Sequence, residues 1–386
     1  MPQIRHIGSL TALRFVAAVG ILLHHSVGVL LPAGTMAFLP LGHGVTFFFV
    51  LSGFILTYAH RDQTTSLDKR SFYRARFARV WPATMVSLLL LMVVFPNVMS
   101  LPYVIPGWGG APTLPVLAAF VLMVQSWVPI PAYFFSFNSV AWSVSVEAFF
   151  YLAFPFLLRS LTRSWPWKLL VILAAGIVII LLADASGFSD YSSETWGKVT
   201  TIGFSYVNPI VRLKEFVIGM VFGLAFIRIQ KMTWKPNTAL LTVMELLSIA
   251  SVPFIVLGTE TASFLIFPSA SSAMNLFISQ ILLAGIFVMI IFVFAFNGGL
   301  VSRLLSLRFA IILGEISFSI YLLHQIFLRY YETNPAEFTW IPPALLLPSF
   351  FVVTCIAAYG SWRWIETPLR RYLGAVRLGR AASRQS

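Results

Sequence analysis

Charge is scarce in this sequence. Of 386 residues, 26 are Lys or Arg and 13 are Asp or Glu, 10% in all, against about 25% in a soluble domain. With 59% hydrophobic residues, too little polar surface remains to cover a water-soluble fold of this length. That excludes an ordinary cytosolic enzyme, a disordered chain and a nucleic-acid-binding domain. Cysteine is nearly absent. The one present, Cys355, allows neither a disulfide framework nor a cysteine zinc site, and in its apolar run it reads as a small hydrophobe. HExxH and clustered His or Cys are missing, so no metal site is expected. There is no Walker A sequence, Gly107-Trp108-Gly109-Gly110 is not a phosphate loop, and no GxSxG elbow appears. Nor is a cleavable signal peptide expected: the first apolar run carries Arg14, His24 and His25.

What is present is a series of apolar runs of bilayer length. They cover 8–31, 41–60, 80–98, 139–158, 167–184, 209–227, 238–258, 275–297, 309–328 and 342–362. An eleventh, 115–128, is short and bracketed by Pro106, Pro112 and Pro115 before it and Pro129 and Pro131 after it. It reads as re-entrant rather than spanning.

Charge supports that count. With ten spans and an inside N-terminus, the inside segments carry Arg5; Arg61, Lys69, Arg70, Arg74, Arg76 and Arg79; Arg159, Arg163 and Lys168; Arg228, Lys231 and Lys235; Arg303 and Arg308; and Arg363, Arg370, Arg371, Arg377, Arg380 and Arg384. These are 21 of the 26 basic residues. The outside loops carry only Lys198 and Arg329, with Asp184, Asp190, Glu194, Glu260, Glu332 and Glu337. A crossing at 115–128 would scramble the bias. The positive-inside rule therefore predicts an all-α integral membrane protein of about ten transmembrane helices with both termini cytoplasmic. The net charge of +13 is then a membrane-orientation signal and implies no nucleic acid. No inverted repeat is evident. Residues 1–373 form one membrane domain, and 374–386 is a basic tail expected to be disordered against anionic lipid.

Ionisable groups at bilayer depth are costly and mark candidate functional sites. Arg14 and His25 are eleven residues apart, so they share a helix face at depths about 16 Å apart, while His24 points about 100° away. The plainer reading has Arg14 snorkelling and His25 bonding a carbonyl. Arg76 and Arg79 share a face at the entry to the third span. Such a forked pair suits a phosphate or pyrophosphate, or equally lipid phosphate. Arg212 and Glu215 are an i,i+3 pair, placed either on an acceptor side or neutralising each other as a structural pair. Ser317, Tyr321 and His324 follow i, i+4, i+7 spacing on one face. Glu245 has no such company and reads as an inner-interface residue. By depth, His25, Glu147, Arg212, Glu215 and His324 are expected in the outer half, with Arg14, Arg76 and Arg79 at the inner end. The outer cluster of His and carboxylate is acid–base equipment.

The same residues carry a family likeness. Ser9-Leu10-Thr11-Ala12-Leu13-Arg14-Phe15 with His25, the segment Gly44-Val45-Thr46-Phe47-Phe48-Phe49-Val50-Leu51-Ser52-Gly53-Phe54, and Arg76-x-x-Arg79 with Pro82 are three blocks of it. Trp142-Ser143-Val144-Ser145-Val146-Glu147 with Phe150-Tyr151, Ser317-x-x-x-Tyr321-Leu322-x-His324, and Glu366-Thr367-Pro368 are the others. In this order they resemble the bacterial acyltransferase-3 family of multi-span membrane O-acyltransferases, which modify surface carbohydrates and some natural products. Many members carry Asp where Thr46 stands, and Thr46 is given no role. Larger members append a soluble esterase-like domain; none is seen here, so transfer would be completed by the membrane part or with a separate periplasmic partner.

The resemblance implies transfer of an acyl group, acetyl first, from cytoplasmic acyl-CoA to a hydroxyl of a lipid-linked or exported saccharide at the bacterial inner membrane. No permanently bound cofactor is expected; acyl-CoA is a co-substrate. Arg14, Arg76 and Arg79 would dock it. His25 or His324 would deprotonate the acceptor, His25 being favoured because it shares a helix face with Arg14, and Glu147 would orient or charge-stabilise the histidine. The competing reading is a transporter or flippase for a sugar or lipid, in which the same charges line a translocation path.

Overall fold

The computed structural model describes residues 7–36, 39, 41–61, 67–97, 113–232, 236–266 and 268–372. Its helices are α1 (Gly8–Ser26), α2 (Gly44–Ala59), α3 (Lys69–Val94), α4 (Leu114–Val121), α5 (Pro131–Phe134), α6 (Trp142–Leu158), α7 (Leu161–Ala185) and α8 (Thr201–Ser205), followed by α9 (Pro209–Ile229), α10 (Thr238–Ile266), α11 (Ser272–Ala295), α12 (Leu300–Leu305), α13 (Arg308–Thr333) and α14 (Pro343–Ser361). Among the described residues there is no β-strand, only two isolated bridges. The protein is an all-α, multi-pass membrane protein. The tail 374–386, and most of the Pro- and Gly-rich stretch before residue 113, lie outside the described residues.

A helix stands at each of the ten predicted spans. Among the described residues, eight helical segments are long and apolar enough to cross a bilayer, the last being Pro343–Tyr372. The remaining two are α9 and α10. α9 has 21 residues, about 31 Å of helix, but Arg212, Lys214, Glu215 and Arg228 dilute its hydropathy. α10 has 29 residues, Thr238–Ile266, of which Thr238–Phe254 is a described apolar stretch.

Several predicted ends move, each for a local reason. α3 begins eleven residues before its apolar run, because the Asp68 carboxylate accepts from the Ser71 N–H and caps a basic first segment. Asn208 and Ser271 cap α9 and α11 in the same way. α1 stops at Ser26, where the chain turns through Gly28 at φ +82, a backbone conformation that glycine adopts freely.

The segment 115–128 does not cross. α4 has eight residues, about 12 Å of helix against a core of about 30 Å. Its irregular continuation buries Met123, Gln125 and Ser126 against the protein, where polar groups find partners. Gln125 Nε2 donates to Ala141 O at 3.0 Å, and Ser126 Oγ donates to Trp142 O at 2.7 Å.

Two close crossings set the frame. In α2 and α9, a methyl group on Gly53 would lie 1.9 Å from Phe216 O, and one on Gly219 would lie 2.0 Å from Val50 O. In α1 and α13, a methyl on Gly314 would lie 2.0 Å from Thr11 O. Without a hydrophobic drive between helices in lipid, such backbone-to-backbone packing is what holds spans together. Against this frame packs α6, through Phe150 on Phe49 of α2 and Phe216 of α9, and α3 joins α6 through Phe72 stacked on Phe154. α7 turns Leu170, Val171, Val178, Leu181 and Leu182 outward, as a lipid-facing helix does. Gly219→Ala is therefore expected to destabilise by about 1–3 kcal/mol or more, read as a lower thermal midpoint in detergent. Gly285→Ala, where nothing stands within 4 Å, leaves the midpoint in place.

Candidate active site

A cavity of about 250 Å³ opens among α1, α2, α3, α6 and α13. On α2 its lining spans residues 45–59, about 21 Å of helix, so the space is long and narrow. One end is charged. Arg14 from α1, with Arg76 and Arg79 from the basic start of α3, shares the wall with one carboxylate, Glu147 of α6. Three guanidinium groups against one carboxylate leave the wall positive. The Arg76 guanidinium lies over the rings of Phe72 and Tyr151 at 5.8 and 5.7 Å, and its Nε is buried with no hydrogen-bond partner. The other end is lined by Phe48, Phe49, Ser143 and Tyr321. There the Tyr321 hydroxyl donates to Val140 O at 2.8 Å and meets Ser143 Oγ at 2.7 Å.

The histidines lie one helical turn past that end. Gly44, next to the lining residue Val45, abuts Ile21 and Ala17 of α1, and His25 is a turn beyond Ile21. On α13, His324 is a turn beyond Tyr321, with ring centroids 6.0 Å apart. His25 Nδ1 and His324 Nε2 are 2.9 Å apart. His24 is exposed, its ring 5.5 Å from that of His25.

The structure thus brings Arg14, Arg76 and Arg79 to one wall and joins His25 to His324. It corrects the placement of Glu147. The carboxylate accepts from the Tyr151 hydroxyl and, at 3.3 Å, from Ser52 Oγ; among the described residues it bonds to neither histidine. The reason is depth. Asn138 Nδ2 donates to Leu322 O at 2.7 Å, and Tyr321 reaches Val140 O. Both α13 residues sit at the middle of Arg308–Thr333. The buried segment before α6 therefore starts that helix at mid-depth. Glu147, seven residues past Val140, falls about 10 Å closer to the basic end. The expected outer cluster of histidine and carboxylate is two histidines instead.

Arg212 and Glu215 are outside the cavity lining. Arg212 Nε is 2.9 Å from the Glu215 carboxylate, both fully buried. The Thr46 hydroxyl donates to Glu215 Oε1 at 2.9 Å and accepts from Arg212 Nη2 at 3.1 Å. Phe49, Trp142 and Tyr206 enclose the guanidinium. This is the self-neutralising pair, with Thr46 as its bridge. Glu215→Gln would strand the Arg212 charge, costing about 3–5 kcal/mol. The expected result is loss of the monodisperse peak on gel filtration, recovered when Arg212→Met is added.

Other polar residues resolve as structural. Ser317 Oγ donates to Gly314 O in its own helix at 2.7 Å. Lys214 Nζ donates to Val211 O and Gln280 Oε1 at 2.9 and 2.7 Å, with the Phe277 ring on a further side. Glu245, expected at the interface, is fully buried and accepts from the Val301 and Ser302 N–H groups at the start of α12. Glu366 accepts from Ser319 Oγ and pairs with Arg370. Among the described residues no three His, Cys, Asp or Glu converge as metal ligands.

Sequence reasoning gave no role to Thr46, Ser52, Ser143 or Tyr151. Only Tyr151 carried a readable signal, four residues past Glu147 on the same helical face.

Residues 7–363 match the family described as an acyltransferase domain. The acyltransferase MdmB of Streptomyces mycarofaciens is 32% identical over 237 residues, covering 58% of this chain and 58% of that protein. The O-acetyltransferase OatA of Staphylococcus aureus is 24% identical over 394 residues, covering 95% of this chain and 58% of that protein. The chain spans little more than half the length of these relatives. No solved structure matches it. By its match over nearly its whole length, the chain belongs to the acyltransferase-3 family.

Proposed function

We propose that the protein is a membrane O-acyltransferase that moves an acyl group, acetyl first, from acyl-CoA to a hydroxyl of a lipid-linked or exported saccharide. The observation that carries this reading is the long narrow cavity with guanidinium groups at one end and a histidine pair one turn beyond the other. CoA is a polyphosphate joined through a thin flexible arm to a thioester. Arg14, Arg76 and Arg79 suit the phosphates, and a slot of about 21 Å suits the arm. The thioester would then lie against Tyr321, beneath His25.

His25 takes the proton of the acceptor hydroxyl as the new C–O ester bond forms. The C–S bond breaks, and the departing thiolate receives that proton from the imidazolium, so CoA leaves as the thiol. Glu147, held by the Tyr151 hydroxyl, partly offsets the charge of the arginines. The basic end faces the cytoplasm, where acyl-CoA is made, and the enzyme acts in the bacterial cytoplasmic membrane with lipid around it. The names of the two relatives, one an acyltransferase and one an O-acetyltransferase, support the reaction class. Mass spectrometry of the host's surface glycans and secreted products tests it. Deletion of the gene is expected to remove one set of acyl esters, restored by wild-type protein; unchanged ester content would count against the reading.

A further inference from the structure

We infer that His324 is a positioning residue which fixes the tautomer of His25, leaving Nε2 of His25 as the one ring nitrogen of the pair free to accept a proton. The inference rests on the acyl-transfer reading for its kinetic consequence, but not for the placement of the protons.

Each imidazole nitrogen either carries a hydrogen and donates or holds a lone pair and accepts. His324 is fully buried. Its Nδ1 lies 3.1 Å from the carbonyl of Ile320. A carbonyl only accepts, so Nδ1 of His324 carries the hydrogen. In the neutral ring Nε2 is then a lone-pair acceptor. That Nε2 faces His25 Nδ1 at 2.9 Å. Two lone pairs cannot bond, so His25 Nδ1 carries a hydrogen and donates it. The ring planes differ by 13° and their centroids are 5.2 Å apart. The centroid separation exceeds the N···N distance by about one ring diameter, so the rings meet edge to edge and the N–H points along the line between them. Nε2 of His25 is left with its lone pair.

Two consequences follow. First, His324 cannot be the base: one nitrogen is committed to a backbone carbonyl and the other to His25. Second, the orienting group is neutral. In a serine-protease triad a carboxylate does this work, and loss of the correct tautomer there lowers kcat by about 10⁴. A neutral imidazole holds the tautomer without adding charge, so a smaller effect is expected. During the reaction the Nδ1 hydrogen of His25 stays in place. Only Nε2 gains the acceptor's proton and then loses it to the departing thiolate.

The direct test is ¹⁵N NMR of histidine-labelled protein in lipid nanodiscs, with the His25 signals assigned by their loss in His25→Asn. His25 is expected to carry its hydrogen on Nδ1 with Nε2 unprotonated, and to lose that preference in His324→Leu. In acyl transfer, His324→Leu is expected to lower kcat about 100-fold, with the KM for acetyl-CoA within about twofold. His324→Gln, whose Oε1 can accept from the Nδ1 hydrogen, is expected to recover most of the loss. A wild-type His25 protonated on Nε2 would overturn the proposal, whatever the variants do. So would a His324→Gln as inactive as His324→Leu. If the tautomer is as assigned but no acyl-CoA is consumed, the proton placement stands and the acyl-transfer reading fails.

Discussion

His25→Ala is expected to lower the rate of acyl transfer by at least about 10³-fold while leaving expression, gel-filtration profile and acyl-CoA binding close to wild type. Positioned acid–base groups supply about 10²–10⁴ in rate. Among the described residues, the carboxylates of Glu147 and Glu215 are committed elsewhere, to Tyr151 and Ser52 and to Arg212 and Thr46. His25 is half-buried and its one bond, to His324, crosses from α1 to α13, but that crossing is held by the backbone approach of Gly314 to Thr11, so removing His25 spares the frame. Initial-rate kinetics with labelled acetyl-CoA read the effect. Activity within tenfold of wild type would remove His25 from the chemistry.

The second large effect concerns the donor. Arg76→Ala with Arg79→Ala is expected to raise the apparent KM for acyl-CoA about 100-fold or more, with the KM for acceptor changed little. A hydrogen bond to a charged group contributes about 1.5–3 kcal/mol, and about 1.4 kcal/mol is a factor of ten. Two guanidinium groups on phosphates therefore reach that range with modest contributions each. Arg76 is suited to the task because its Nε is buried and unpartnered and its guanidinium lies over the rings of Phe72 and Tyr151. Desulfo-CoA, which keeps the phosphates and cannot react, gives the binding half of the test by calorimetry. An equal rise in both KM values would detach these arginines from the donor.

The helices at the ten predicted spans were legible because hydropathy reports the solvent directly, and the solvent is what dictates apolar length. The pairing of Arg14 with His25 on one face, and of Arg76 with Arg79, was legible because helical spacing is fixed. Glu147 was misplaced because its depth was counted from the presumed outer surface. The chain reaches α6 from a buried re-entrant segment, and no periodicity announces how deep such a segment goes. Thr46 was passed over because a hydroxyl has no charge pattern; its importance comes from the long-range contact with Arg212 and Glu215, set by the glycine crossing of α2 and α9. The union of His25 with His324 joins residues 299 apart in sequence; the helix face shared with Arg14 favoured His25 as the base, but nothing in the spacing tied it to His324. Their order of roles lies in the carbonyl of Ile320, which every helix possesses and no sequence displays.

The most direct test of the whole account is purified protein reconstituted in lipid, given acetyl-CoA labelled in the acetyl group and a hydroxyl-bearing glycan acceptor. The expected result is label on the acceptor, matched by an equal yield of free CoA thiol, with both lost in His25→Ala. Movement of the acceptor across the bilayer with no consumption of acetyl-CoA would contradict it and show a translocation path instead.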